Sequence, residues 1–475
     1  MHLSGQAPAF QRRRPGGDRQ VRLKTAGQAE LSSPGAPELR RPKQPDRHEL
    51  KEGEAMAYAQ RHGKGWRARY KKPDGSWGSR SGFETKAAAE AWGEDQESLI
   101  RRHLWIDPQE SETPFGTFAE AWLTGSRLAI TTQAKYRSYL DNHVLPQWED
   151  WPLIQIFNNH LEVQGWVNEL HDELAEPTVA SVFALFSTIM NVAVRARKVP
   201  ASPCQGIRVT TGEYEAERQV ATPAQFLRAA VRLHDSFGYA GFVLTLMDGY
   251  TGARWSELVG LQPHEYDEIN KAIRVQEPLT EAGGALAKAK RTKTPAGKRW
   301  VQLPPFLAEL YEALLEDCIH PYVFVGEKGG NLRRGNFRQR FWRPAWDGDP
   351  DNPDPGKRLA PVLPGFTFHE GRHTQRTWLA EDGIPEVARA ARLGHKMPGM
   401  ANVYEHVTPE MKRRVLEALQ ERWEASLLAL RGRDRARLLV LHPQMEEQIN
   451  RLTARRQAEA SEGDKIIAQI SPRQA

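Results

Sequence analysis

Five short fragments in the second half of the chain constrain its fold most strongly: Thr251-Gly-Ala-Arg254, Thr292-Lys293-Thr294, His369-Glu-Gly-Arg372-His373, Leu393-Gly-His395 and Val403-Tyr404. They set two arginines, a lysine, histidines and a tyrosine in one order, and a fold that uses them must gather them at one place. Arginine forks bind non-bridging phosphate oxygens bidentately, a lysine can hand a proton to a leaving oxygen, and histidines trade protons near pH 7. A tyrosine hydroxyl can attack phosphorus. The set has the chemistry of phosphate handling, with a nucleophile at its end.

The fragments, their order and the nine-residue step from His395 to Tyr404 resemble the tyrosine recombinases of the phage-integrase family, over most of residues 113–425. The resemblance implies a chain that is mainly α with small β-sheets. It also implies a site-specific DNA recombinase that cuts and rejoins DNA through a 3′-phosphotyrosyl link, integrating or excising a mobile element such as a prophage. Each preorganised donor to a developing oxyanion is typically worth about 3–4 kcal/mol, and Arg254 and Arg372 are the donors this sequence offers. By family analogy His369 relieves Tyr404 of its proton, His395 hydrogen-bonds the phosphate, and Lys293 protonates the departing 5′-oxygen. Lys288, Lys290 and Lys298 lie near Lys293, but Thr-Lys-Thr before the turn matches the motif. Glu257 is expected to position Arg254, and His373 to pack or hydrogen-bond. One departure stands out: Gly371 occupies a position where the family commonly carries an apolar residue, at a helix-propensity cost of about 1 kcal/mol.

A length of 475 residues predicts two to four domains. Charged residues make up 27% and hydrophobic ones 39%, and 66 Lys+Arg against 60 Asp+Glu give a net +6, so only clustering of charge can argue for nucleic acid. Cys204 and Cys318 stand far apart without metal-ligand spacing, which supports neither a disulfide framework nor a zinc finger. A reducing cytoplasm is the expected location. No apolar run reaches the ~18 residues of a membrane span, and the N-terminus lacks a signal-peptide core.

Residues 1–55 are rich in Gly, Pro, Gln and Arg and carry little apolar periodicity, which predicts disorder. They are either a basic arm on DNA or an extension ahead of a start at Met56. Residues 56–105 change pattern: Gly65–Tyr70 and Ser76–Arg80 alternate as strands around a Pro73-Asp-Gly75 turn, and Thr85 caps a helix. A small three-stranded sheet with one helix resembles the arm-type DNA-binding domain of integrases. Eight Lys/Arg against two Asp/Glu fall between residues 56 and 86, and Arg67, Arg69, Lys71, Lys72 and Arg80 are the candidate phosphate contacts. An ordinary solvated strand face is the competing explanation.

Residues 113–208 predict four helices, around Phe118–Leu123, Gln133–Leu145, Leu161–Leu170 and Thr178–Arg197, with Pro146 ending the second. Spacing alone says helical bundle; the family resemblance makes it the core-binding, SAM-like domain. After a polar linker, Thr222, Pro223 and Gln225 open a helix as N-cap, N1 and N3, and the catalytic domain spans 218–425. Within it Ile273–Val275 and Arg299–Leu303 alternate as a hairpin turning at Thr294–Gly297, with Lys293 at its tip. Arg333, Arg334, Arg338, Arg340 and Arg343 form a basic helix, read as lying along DNA or as a plain exposed face. Val415, Leu419, Trp423 and Leu427 recur at helical spacing, and 426–475 is expected to be a charged helical tail.

His369-Glu-Gly-Arg-His373 also satisfies the H-E-x-x-H zinc-protease pattern. Arg372 is an awkward neighbour for zinc, and Arg376 stands where the metzincin glycine belongs, so neither metal nor cofactor is expected. A type IB topoisomerase would use the same side chains, but the arm-like domain favours recombination. A DNA-binding regulator with an idle catalytic set is a third possibility. The partners implied by the resemblance are double-stranded DNA attachment sites and a homotetramer on synapsed DNA, with an excision factor or DNA-bending protein as accessory candidates, and no membrane.

Overall fold

The computed structural model describes residues 57–210, 218–282, 284–288, 297–395 and 406–470. The expected N-terminal extension, most of the polar linker, Lys293 and Tyr404 lie outside the described residues. The chain divides into two units between Trp105 and Ile106.

Alternation builds the first unit. β1 (Tyr58–His62), β2 (Gly65–Lys71) and β3 (Trp77–Phe83) form an antiparallel sheet in that order. Thr85 Oγ1 accepts from Ala88 N at 3.1 Å and opens helix α1 (Lys86–Arg101), as the capping pattern predicts. Side chains on a strand alternate between faces. Ala68 and Tyr70 are buried, with Tyr70 edge-on to Trp92 of α1 at 5.5 Å. Arg67, Arg69 and Lys71 therefore share the opposite face.

In the second unit, α2 (Phe115–Gly125), α3 (Ile130–Tyr139), α4 (His160–Glu173) and α5 (Glu176–Arg195) enclose one apolar core. Trp148 sits at its centre against Trp151, Trp166 and Phe186, at 5.2, 5.8 and 5.6 Å between ring centroids. By length and composition α5 could cross a membrane, but Val179, Val182, Leu185, Phe186, Ile189 and Met190 are spent on this core. Pro146 does not end the second helix as expected. A π turn over Leu140–Val144 precedes it, and the chain stays helical through Leu145–Trp148. Proline has no N–H for the ladder, and the wider turn re-phases the backbone around the missing bond. The same device recurs at Pro344, behind a π turn over Arg338–Trp342.

A second core begins at Ala221 and runs to Ile449. Helix α6 (Pro223–Phe237) opens with the expected reciprocal cap between Thr222 and Gln225. It packs on α7 (Tyr239–Thr251), which leads into α8 (Trp255–Leu258). β4 (Tyr266–Asp267), β5 (Ala272–Val275) and β8 (Arg299–Gln302) form one antiparallel sheet. Between β5 and β8 the structure inserts a second hairpin that the sequence did not announce, β6 (Leu279–Ala282) and β7 (Ala285–Lys288), with Gly284 at φ +78°. Helices α9 (Pro305–Glu316), α10 (Arg334–Phe337), α11 (Phe368–Glu381), α12 (Glu386–Leu393) and α13 (Pro409–Ala429) complete the layer around it. Val415, Leu419, Trp423 and Leu427 of α13 are buried in this same core, Trp423 stacked on Phe306 at 4.3 Å. The core then continues into α14 (Gly432–Leu441) and α15 (Met445–Ile470) through Leu438, Met445 and Ile449.

Candidate active site

Three chain ends meet at the site. Helix α7 stops at Gly252, whose φ of +60° is the left-handed conformation glycine adopts without strain, and Arg254 follows two residues later as the N-cap of α8. Helix α12 stops at Gly394, φ +68°, with His395 N donating back to Ala390 O at 2.9 Å. Helix α11 begins at Phe368 and projects His369, Arg372 and His373 from its first turns.

Arg372 ties these ends together. It is 3% exposed; Nη1 donates to Gly252 O at 2.8 Å, while Nη2 donates to Leu393 O and to His395 Nε2, the latter at 2.8 Å. A guanidinium can only donate, so His395 Nε2 accepts and the ring is neutral, with its proton on Nδ1. Burial, then the charges of Arg372 and Arg376, push His395 down to about 4. Burial, then Arg254 and Arg299, lower Arg372 to about 9, which leaves it charged at neutral pH.

Glu257 has the role the sequence suggested. Its Oε1 accepts from Arg254 Nη1 at 2.8 Å and its Oε2 from Arg254 N at 2.9 Å. Burial alone would raise this carboxyl, but Arg299 and then Arg254 outweigh it and hold the group below the usual range. The half-buried side chain of Arg254 lines a cleft of about 420 Å³ together with Thr131, Trp255, Arg334, Phe368 and His369. Burial, with Arg372, Arg254, Arg334 and Arg218 following, keeps His369 below the ordinary histidine value. It is therefore neutral at pH 7 and can accept a proton.

Gly371 has a specific cause. A Cβ there would fall far inside contact distance of Asp248 Oδ2. Asp248 is fully buried on α7, and burial raises its carboxyl well above the carboxylate range. The glycine lets α7 and α11 approach with that carboxyl between them. A lone acid inside an otherwise apolar helix was the signal in the sequence.

The H-E-x-x-H geometry serves other ends. Glu370 is the N3 residue of a reciprocal cap with Thr367, and Arg218 Nη1 lies 3.0 and 3.1 Å from the two ring nitrogens of His373. Burial and then Arg218 lower His373 to about 4. Arginines surround both histidines, an environment hostile to a divalent cation. Among the described residues no three His, Cys, Asp or Glu side chains group as metal ligands.

The basic helix divides by role. Arg333 donates to Glu281 Oε1 and Gly284 O, both at 2.8 Å, and Arg343 pairs with Asp347. Arg340 lies over Phe341 at 5.7 Å. Arg334 and Arg338 line a small cleft with Trp255, Phe337 and Phe368 beside the site. Lys288 pairs with Glu277 at 3.6 Å and donates to Gln262. In the first unit Arg67, Arg69 and Lys71 share a face, and Lys72 follows at the turn. Arg80 does not join them. It pairs in register with Ala68 and lies over Trp92 at 5.5 Å, on the helix side of the sheet, because one residue of strand phase reverses the face.

Arg299 went unrecognised in the sequence except as a strand residue. It is in phase with Val301 and Leu303, both buried, and a charge on the inward face of a strand was the available signal.

Residues 234–411 match the phage integrase family. The chain is 27% identical over 368 residues to the putative prophage phiRv2 integrase of Mycobacterium tuberculosis, covering 75% of this chain and 92% of that protein. It is 25% identical to a tyrosine recombinase XerC-like protein of Caldanaerobacter subterraneus, covering 71% of this chain and 90% of that one. A solved structure of the Tn1549 transposon integrase with a circular intermediate DNA superposes with a TM-score of 0.50 at 18% identity, over 65% of this chain and 99% of that one.

Proposed function

Because this chain belongs to the phage-integrase family of tyrosine recombinases and is a site-specific DNA recombinase of the integrase type, we propose that Arg254, Arg372 and His395 form its cradle for the scissile phosphate and Tyr404 its nucleophile. The observation that carries this reading is Arg372 held by Gly252 O, Leu393 O and His395, with Arg254 fixed beside it by Glu257. Donors set before the substrate arrives need no reorganisation when charge builds on the non-bridging oxygens.

The Tyr404 hydroxyl attacks phosphorus, and neutral His369 takes its proton. The bond from phosphorus to the 5′-oxygen breaks, and Lys293 supplies the proton that oxygen needs. The 3′-phosphotyrosyl link keeps the energy of the broken phosphodiester, so a 5′-hydroxyl from another strand rejoins it without ATP. The chain's own residues complete the proton and charge balance, so no cofactor is invoked. Arg67, Arg69, Lys71 and Lys72 contact arm-site phosphates, with Arg334, Arg338 and Arg340 on DNA near the site. Work on a prophage-like element in the cytoplasm, a homotetramer on two synapsed attachment sites, and an excision factor or DNA-bending helper complete the proposal.

The test is incubation with labelled attachment-site duplexes in EDTA, followed by a denaturing gel. Wild type is expected to form a covalent adduct that Tyr404→Phe cannot form while still binding DNA. An adduct that requires added metal, or one that survives in Tyr404→Phe, would refute the assignment.

A further inference from the structure

Glu257 does not serve Arg254 alone. Arg299, at the start of β8, donates Nη2 to Glu257 Oε2 at 3.1 Å and Nη1 to Glu257 Oε1 at 3.4 Å. Its Nε donates to Arg392 O at 2.6 Å and its Nη1 also to Gly297 O at 3.0 Å. Its side chain is 6% exposed, against 35% for that of Arg254. A buried carboxylate between two arginines is thus offered to the solvent side through only one of them. The inner one has no route to a substrate.

The partners of Arg299 sit at informative places. Arg392 O and Leu393 O are the last carbonyls of α12, which have no partner within the helix. The first accepts from Arg299 and the second from Arg372, and His395 follows two residues on. The negative end of that helix dipole also lies where the arginines' positive charges crowd. On the other side, Gly297 O lies directly after residues 289–296, the stretch that holds Lys293. One guanidinium therefore joins the strand leaving the lysine segment, the carboxylate that aims Arg254, and the helix end that carries His395.

We propose that Arg299 is a positioning residue of the strand-cleavage chemistry, acting through Glu257 on Arg254. It touches neither DNA nor the reacting atoms. This inference rests on the proposed cradle and adds a residue behind it. Lysine in its place keeps the charge but loses the planar fork, so Glu257 and Arg392 O cannot both be held.

The experiment is single-turnover adduct formation on the same duplexes, with DNA affinity and thermal melting measured alongside, for wild type, Arg299→Lys, Arg254→Lys and the double variant. Glu257→Gln serves as a second, shape-conserving single variant. Misplacing a catalytic group by an ångström costs on the order of 10²-fold, so Arg299→Lys is expected to slow cleavage by about 10- to 100-fold with DNA affinity unchanged, and Glu257→Gln to slow it similarly. In the Arg254→Lys background, Arg299→Lys should slow cleavage much less, because the group it positions is already compromised. Equal slowing in both backgrounds would mean a general packing role and overturn the inference. So would wild-type rates in Arg299→Lys, or loss of cleavage that follows melting and DNA affinity in both single variants. If wild type itself forms no adduct, the proposed cradle fails first, and the inference with it.

Discussion

The two cores of the second unit are built on different principles. The bundle core over residues 115–204 is closed by aromatic and aliphatic side chains, with no buried charged group among its described residues. The core from Ala221 to Ile449 buries Arg232, Asp248, Glu257, Glu265, Arg372 and His442 as well. Burying charge costs several kcal/mol per ion unless partners compensate, and a hydrophobic replacement is often as stable. For Arg372 and Glu257 that cost is explained by what they hold in place. Arg372 and Glu257 fix the tips that face the cleft.

That contrast predicts that changes in the first core cost stability alone, whereas changes in the buried arginine–carboxylate network of the second cost rate. The largest expected effect is Trp148→Ala, which removes the centre of the bundle and should destabilise by about 3–5 kcal/mol. Chemical denaturation measures it, and the cleavage rate per folded molecule should be unchanged. Arg254→Ala reverses the pattern: the melting temperature should fall only modestly, since Arg299 still pairs with the buried Glu257 carboxylate, while single-turnover cleavage falls roughly 10²- to 10³-fold for the lost donor.

Gly371→Ala sits between the two. Overpacking against Asp248 should cost about 1–3 kcal/mol, despite the better helix propensity of alanine. Asp248→Ala in the same chain should restore most of the stability, and a denaturation series on the two singles and the double would show it.

A smaller effect separates the cores by pH. His442 is buried at 3% exposure against Phe242, at 4.4 Å between ring centroids, and burial followed by His234 lowers it to about 4. Its folded value lies below its unfolded one, so its contribution is whole above pH 6.5 and lost as pH falls toward 4. Asp248, raised by burial, titrates in the opposite sense. The difference between wild type and His442→Phe isolates the histidine. A tenfold difference in proton affinity between the folded and unfolded chain is worth about 1.4 kcal/mol. Wild type should therefore lose about 2 kcal/mol relative to that variant between pH 6.5 and 5.

Much of the scaffold could be read before the structure, because local chemistry dictates it. Thr222, Pro223 and Gln225 spell a helix start whatever surrounds them, and the alternation from Gly65 to Lys71 spells a strand. Arg254, Arg372 and His395 were singled out by residue type and order together with the family resemblance, and in the structure Arg372 lies against His395 with Arg254 nearby. What escaped depended on partners distant in sequence. Pro146 reads as a stop unless the π turn before it is known. The β6–β7 hairpin has four-residue strands with one β-branched residue, Thr280, too little for periodicity to register. Arg80 was grouped with the β2 basic residues as a candidate phosphate contact, but its pairing with Ala68, a register that its own segment does not reveal, puts it on the helix side of the sheet. Gly371 looked like a weak point in a helix until Asp248, 123 positions earlier, was found against it. Arg299 looked like one more strand residue until Glu257 was found to need it.

The most direct measurement is to trap the covalent complex on a nicked duplex, digest protein and DNA, and locate the nucleotide-bearing peptide by mass spectrometry. A nucleotide 3′-phosphate on Tyr404 is the expected result, with its yield lost in Arg372→Ala. The phosphate on any other side chain, or an adduct undiminished without Arg372, would contradict a buried arginine scaffold built to serve that tyrosine.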